Sequence, residues 1–282
     1  LTPNTSLYNI FRAVRLRGRL NFPALQQALD ALMARHESLR TVFSSVNGQP
    51  VQVIAEDQTF HLVEIDLVHR SSDAREAELQ KLLQEMARAP FDLAHGPLVR
   101  ATIFRLDADE HVLLLSMHHI VADDWSMGIF SRELETLYDG FAADHAPQLP
   151  ELPIQYADFA RWQHAWSQNG TLEKQLQYWK KQLSGAPPLL ELPTDRPRPS
   201  GPTFHGAHHT LTLPRRLRDQ LVKLSERERV SLFMTLLAAF QTLLAQYSGQ
   251  DDIVVGSPIA GRNRLETENL IGHFINTLVL RT

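Results

Sequence analysis

His118 and His119 stand side by side at the end of an apolar run, Val112 to Met117, and are followed by Ile120-Val121-Ala122-Asp123-Asp124 and then Trp125-Ser126. Histidine is the one side chain whose ordinary pKa lies near neutrality. An imidazole fixed at a strand end, with a carboxylate four residues on, is a candidate general acid or base. Neighbouring residues on a strand point to opposite faces. The two rings therefore cannot both close on one metal ion, and the spacing divides their labour: one reactive, the other structural. Asp123 has two uses in this pattern. It either orients His119, as the carboxylate of a triad does, or pairs with a guanidinium through two parallel hydrogen bonds, with Arg35 and Arg40 as candidates. An N-cap for the helix that follows is compatible with both.

Other chemistries lack their residues. There is no Gly-x-Ser-x-Gly and no cysteine, which excludes a serine nucleophile elbow, thiolate catalysis, disulfides and cysteine-bound metals. Gly256-Ser-Pro-Ile-Ala-Gly261-Arg262-Asn263 has glycines at P-loop spacing without the Lys-Ser/Thr pair that holds phosphate. His205, His208 and His209 form a second cluster and read as surface residues; no metal site is expected. The net charge of −4 comes with dispersed Lys and Arg, unlike the basic face of a nucleic-acid binder.

The elements that must position His119 follow from periodicity. Leu98–Leu106 and His111–His118 read as a hairpin about Asp107-Ala108-Asp109, its second arm presenting the histidines. Trp125–Tyr138 reads as a helix capped by Asp123 or Asp124. Before them come a strand over Tyr8–Leu16, a helix over Ala24–His36, strands over Val51–Ile54 and Phe60–Ile65, and a helix to Met86 opened by a capping box of Asp73 and Glu76. After them come helices over Gln155–Gln168 and Thr171–Leu183. Pro187, Pro188, Pro193, Pro197, Pro199 and Pro202 then forbid regular structure. Residues 185–203 are accordingly expected to connect an N-terminal lobe, 1–184, to the start of a C-terminal one, 204–282. That second part reads as a strand over His208–Leu213, helices over Arg215–Glu228 and Ser231–Tyr247, and strands over Asp252–Gly256 and Phe274–Leu280. Val230–Ala245 is too short and interrupted to span a bilayer and reads as a buried core helix. No secretory signal is visible at Leu1, and both ends look cut.

Four stretches, in order along the chain, resemble the condensation domain of nonribosomal peptide synthetases. His118-His119-Ile-Val-Ala-Asp123 matches that family's His-His-x-x-x-Asp-Gly except at the glycine, where Asp124 stands. Arg35-His36-Glu37-Ser38-Leu39-Arg40-Thr41-Val42-Phe43 is similar to Arg-His-Glu-x-Leu-Arg-Thr-x-Phe. Tyr156-Ala157-Asp158-Phe159-Ala160-Arg161-Trp162-Gln163 is similar to Tyr-x-Asp-[Phe/Tyr]-Ala-x-Trp-Gln, and Ile271-Gly272-His273-Phe274-Ile275-Asn276-Thr277 to Ile-Gly-x-Phe-[Val/Ile]-Asn-Thr.

The resemblance implies a mixed α/β, chloramphenicol acetyltransferase-like fold of two lobes about a tunnel, the second lobe incomplete here. It implies a catalytic His119, a supporting His118, an Asp123–Arg35 salt bridge and Asn276 lining the tunnel. Asp124, Trp125 and Ser126 surround the motif, the helix N-terminus offering its dipole to an oxyanion. The reaction implied is amide formation between a thioester donor and an acceptor amine, both on phosphopantetheine arms. No cofactor is bound directly. The partners are upstream and downstream peptidyl carrier proteins beside an adenylation domain, in the cytoplasm, with neither nucleic acid nor membrane. Epimerization by the same superfamily is the alternative, though the order Trp125-Ser126 favours condensation over the Ser-Trp of that branch. A non-catalytic condensation-like scaffold is the third reading, supported by Asp124.

Overall fold

The computed structural model describes residues 5–56, 58–145, 147–199, 201, 206–207 and 209–282. The chain divides into two compact units. The first comprises the described residues up to Asn169 together with Ala260–Ile275, and the second Gly170–Ile259 with Asn276–Thr282. The division falls between two consecutive helices rather than in the proline-rich stretch, and a late segment returns to the first unit. A partition into consecutive lobes misses this, because composition carries no sign of a chain that comes back.

The first unit is built on a mixed four-stranded sheet. In chain order its elements are β1 (Asn9–Arg17), α1 (Phe22–Arg35), β2 (Thr41–Val46), β3 (Gln49–Ile54), β4 (Leu62–Asp66), α2 (Ser72–Ala87), β5 (Val99–Arg105), β6 (Glu110–His118), α3 (Asp124–Ala142) and α4 (Tyr156–Gln168). The sheet order is β1-β6-β5-β4. β6 is antiparallel to both neighbours, and β4 is parallel to β5, linked by α2; β2 and β3 form a separate hairpin.

The run Val112–Met117 is apolar throughout because β6 is a central strand covered on both faces. Leu113, Leu115 and Met117 join Leu25, Leu29 and Leu32 of α1 and Ile129 and Phe130 of α3, whereas Val112 and Leu114 join Phe104 and Leu79 of α2 on the other side. A side chain at the end of such a strand inherits its rigidity.

Several local expectations shift. α1 begins at Phe22, two residues earlier than the periodicity predicts, because Asn21 accepts from the Ala24 amide at 3.1 Å and Pro23 is tolerated in a first turn. The Asp73–Glu76 capping box is not made: the N-cap is Ser71, and Glu76 instead binds Arg15 at 2.8 Å. β2 is an element the sequence pattern does not announce.

The second unit contains α5 (Thr171–Gln182), α6 (Arg215–Glu228), α7 (Leu232–Ser248) and β7 (Val254–Ile259). After β7 the chain enters the returning segment with the one-turn helix α8 (Leu265–Glu268), then forms β8 (Asn276–Arg281), antiparallel to β7. Gly256 lies within β7, so the glycines at P-loop spacing do not form one loop. No strand is assigned over His209–Leu213, and His205 and His208 lie outside the described residues. α7 is not a buried core helix: its one buried residue is Gln241, and Phe233, Leu236, Phe240 and Leu243 are exposed. Among the described residues no single helix is long and apolar enough to cross a membrane.

Candidate active site

β6 ends at His118, and the two imidazoles part there. His118 is 5% exposed, packs against the rings of Tyr8 and Phe91, and accepts from the Ile120 amide at 3.1 Å through Nδ1. Burial, and next the neighbouring His119, push its pKa below the ordinary histidine value, so it is held neutral. His119 is half-buried; its backbone amide donates to Tyr8 O at 2.7 Å and its Nδ1 lies 2.9 Å from Ala122 O. A carbonyl only accepts, so that contact puts the proton on Nδ1 and leaves the lone pair on Nε2. Among the described residues no protein group hydrogen-bonds Nε2.

Asp123 caps α3, its Oδ1 accepting from the Ser126 amide at 2.8 Å and the Ser126 hydroxyl at 2.7 Å. It does not orient His119, whose Nδ1 is taken by Ala122 O. Nor does it pair with Arg35. Its ion partner is Arg262, with Nη2 3.2 Å from Oδ1, and Phe274 N donates to Oδ2 at 3.1 Å. Arg35 instead binds Glu133 on α3 at 3.2 Å, alongside His36, whose Nε2 is 2.8 Å from the same carboxylate oxygen. The reason is placement: Arg35 ends α1 opposite the middle of α3, where Glu133 stands about two and a half turns from the helix N-terminus. Burial alone would raise the Asp123 pKa. The Ser126 hydroxyl and amide, the Arg262 charge and the Phe274 amide outweigh it and hold the carboxyl below its usual range.

The helix end is thus already occupied. With Asp123 on the Ser126 amide and Asp124 exposed in the first turn, the positive end of α3 is not open to an oxyanion. Trp125 is 49% exposed, and its indole N–H donates to Glu268 O at 2.9 Å.

Arg262 organises the returning segment against this helix end. It donates to Thr267 O, to Leu270 O at 2.7 Å and to the Ser126 hydroxyl at 2.9 Å, and its guanidinium lies 4.0 Å from the Phe274 ring centroid. The Ser126 hydroxyl oxygen also accepts from Gly272 N at 3.1 Å and lies 2.9 Å from Gly272 O. Tyr156, at the start of α4, donates to His273 O at 2.8 Å, and a Cβ on Gly272 would overlap its ring. Burial, then the nearby Asp123 carboxylate, push the Tyr156 pKa up to about 12, so it stays a donor. Finally, His273 Nδ1 stands 3.1 Å from His119 Nδ1.

Three of the four sequence motifs therefore converge here, around residues 118–126, 156–159 and 271–274. The fourth, at Arg35, serves the packing of α1 on α3. Arg262 and His273 carry no local signal that marks them as site residues in the sequence. Asn276 opens β8, paired with Ile259, in the second unit. Among the described residues no cluster of His, Asp or Glu could hold a metal.

The fold is of the mixed α/β class, and the condensation-domain profile matches residues 1–282, so the chain belongs to that family. It is 54% identical over its full length to one of the linear gramicidin synthase polypeptides of Brevibacillus parabrevis, of which it spans 4%. It superposes on SgcC5 of Streptomyces globisporus with TM-score 0.77 and 33% identity, covering 98% of this chain and 62% of that one. It also superposes on the X-domain of teicoplanin biosynthesis, solved in complex with OxyB, with TM-score 0.84 and 31% identity, covering 98% of this chain and 60% of that one. The mixed α/β class expected from the sequence is the fold these proteins share.

Proposed function

We propose that the chain forms an amide between a thioester-bound acyl donor and an acceptor amine, with His119 as general base. The observation that carries this is the state of the imidazole: Nδ1 is engaged by Ala122 O while Nε2 is left as a basic nitrogen on a half-buried ring. An α-amine has a pKa of about 8 and a usable neutral fraction near pH 7. Its nitrogen attacks the thioester carbonyl and the C–S bond breaks. Nε2 takes the proton from the attacking nitrogen and passes it to the departing thiolate.

On this reading donor and acceptor arrive on phosphopantetheine arms of carrier proteins working beside an adenylation domain, as expected for a relative of gramicidin synthase. His118, Asp123, Ser126 and Arg262 hold the loop in place. The test is His119→Ala in the intact protein with both loaded carrier proteins. Product formation falls about 10²–10⁴-fold, the usual worth of a general base, while the protein stays folded. Full retention rejects the role.

A second reading has its own support. The X-domain shares this fold and was solved bound to OxyB, and Asp124 replaces the glycine of the family motif. A recruiting scaffold of that kind would yield no amide with either the parent protein or the variant.

A further inference from the structure

The Ile-Gly-x-Phe motif leaves one position free, and this chain places His273 there. The ring lies edge-on to that of His119, with centroids 4.9 Å apart and planes at 78°. Its backbone is fixed on every side: the Tyr156 hydroxyl holds its carbonyl, Ser126 holds Gly272, and Asp123 holds the Phe274 amide.

The two Nδ1 atoms, 3.1 Å apart, restrict each other's protons. Two N–H groups cannot point at one another. When His119 carries its proton on Nδ1, donating to Ala122 O, His273 must present a bare Nδ1 to it. A proton on His273 Nδ1 instead takes His119 Nδ1 as its acceptor. The proton of His119 then moves to Nε2, and the basic nitrogen is lost.

We propose that His273 is a positioning residue for His119: neutral, it keeps Nε2 basic and shares the first proton the pair takes up, and its own protonation switches the base off. The inference rests on His119 acting as the base. A charged Nδ1–H on His119 donates more strongly to a nitrogen lone pair than a neutral one does, and a bare His273 Nδ1 offers that lone pair.

The surroundings suit this. The charges acting on the pair come from His118, next to His119 on β6, and from Asp123 at the head of α3, while the Tyr156 hydroxyl binds the His273 carbonyl. Asp123 is paired with Arg262, yet its carboxylate still favours the charged form of His273, against the larger effect of burial, and Tyr156 stays protonated. Burial lowers the pKa of both His118 and His273, which favours their neutral forms.

The experiment is carbethoxylation of the intact protein between pH 5 and 9, with the rate at His119 read by peptide mass spectrometry, beside the pH profile of amide formation. In His273→Leu the His119 midpoint falls by about 0.5 pH unit or more. His273→Gln, whose carbonyl oxygen can accept from Nδ1–H, returns part of that shift. His273→Phe repeats the leucine result should leucine disturb folding. An unchanged midpoint in folded Leu and Phe variants overturns the proposal. If the labelling midpoint moves and the acid limb of amide formation does not, the coupled pair stands and the assignment of His119 as base fails.

Discussion

Asp123 and Arg262, 139 residues apart in sequence, meet at 3.2 Å with 0% and 1% of their side chains exposed. Neither touches the reactive face of His119. Their pairing fastens the returning segment to the N-terminus of α3 and so brings His273 to His119. A pair this buried contributes less than its Coulomb attraction suggests, because both charges were taken out of water. Losing one partner is a different matter, since it strands the other charge.

Arg262→Met is therefore expected to destabilise the first unit by about 3–5 kcal/mol, read as a lowered urea midpoint. Arg262→Lys recovers little. One ammonium cannot replace a guanidinium that donates at once to Asp123, Ser126, Thr267 and Leu270. Asp123→Asn keeps the shape of the cap but leaves Arg262 uncompensated, and it is expected to lose more stability than Ser126→Ala. Equal midpoints for the parent and Arg262→Met would show that the pair is not a fastening.

That relationship also marks where the sequence stops being legible. The β5–β6 hairpin, the cap at Asp123 and the division between the two histidines are local: an apolar run, a short turn, alternation of period two. Each is written within a dozen residues. The partner of Asp123 is not local. An arginine after a glycine in a polar stretch reads as solvent-facing, and nothing in its neighbours announces that the chain has left the first unit through α5, α6, α7 and β7 and come back. Arg35 is the natural partner by motif, but a helix of fixed rise puts it against Glu133 instead. α7 departs from expectation for a related reason. Its apolar composition is plain, but composition does not say what a helix packs against.

The same residues fix how stability depends on pH. Burial lowers the pKa of His111, His118 and His273 in the folded protein. Their unfolded values lie at about 6.5, so the unfolded state binds more protons below that pH. The stability they contribute is complete above about pH 6.5 and is lost as the pH falls through the folded values. Asp123 is also lowered, from an unfolded value of about 3.9, so its contribution is present above that pH and is lost only in stronger acid. Urea midpoints are expected to fall from pH 7.5 to 5, by at most about 1.4 kcal/mol per pH unit for each proton taken up, and to fall again below pH 4. His118→Phe should flatten the first decline and leave the second. A single acid transition below pH 4, with no slope between 7 and 5, would contradict this assignment.

Asp124 stands where the family motif has glycine, and the structure separates it from its neighbour. Asp123 is the cap; Asp124 is exposed in the first turn of α3, where a carboxylate favours the helix dipole. Its backbone is helical, so the positive φ that only glycine readily supplies is not needed here. Asp124→Asn removes the charge and keeps the size, and it is expected to cost under about 1 kcal/mol. Asp124→Gly adds the entropic penalty of glycine in a helix, about 1 kcal/mol more. If the side chain is only a helix-end residue, both variants form amide at the parental rate once folded, because Asp123 already fills the helix end and Nε2 of His119 keeps its lone pair. A rise in the rate on Asp124→Gly that Asp124→Asn does not reproduce would point to crowding by the side chain. A rise in both would point to its charge. Either outcome would assign Asp124 a part in the site that its exposed position at the head of α3 does not.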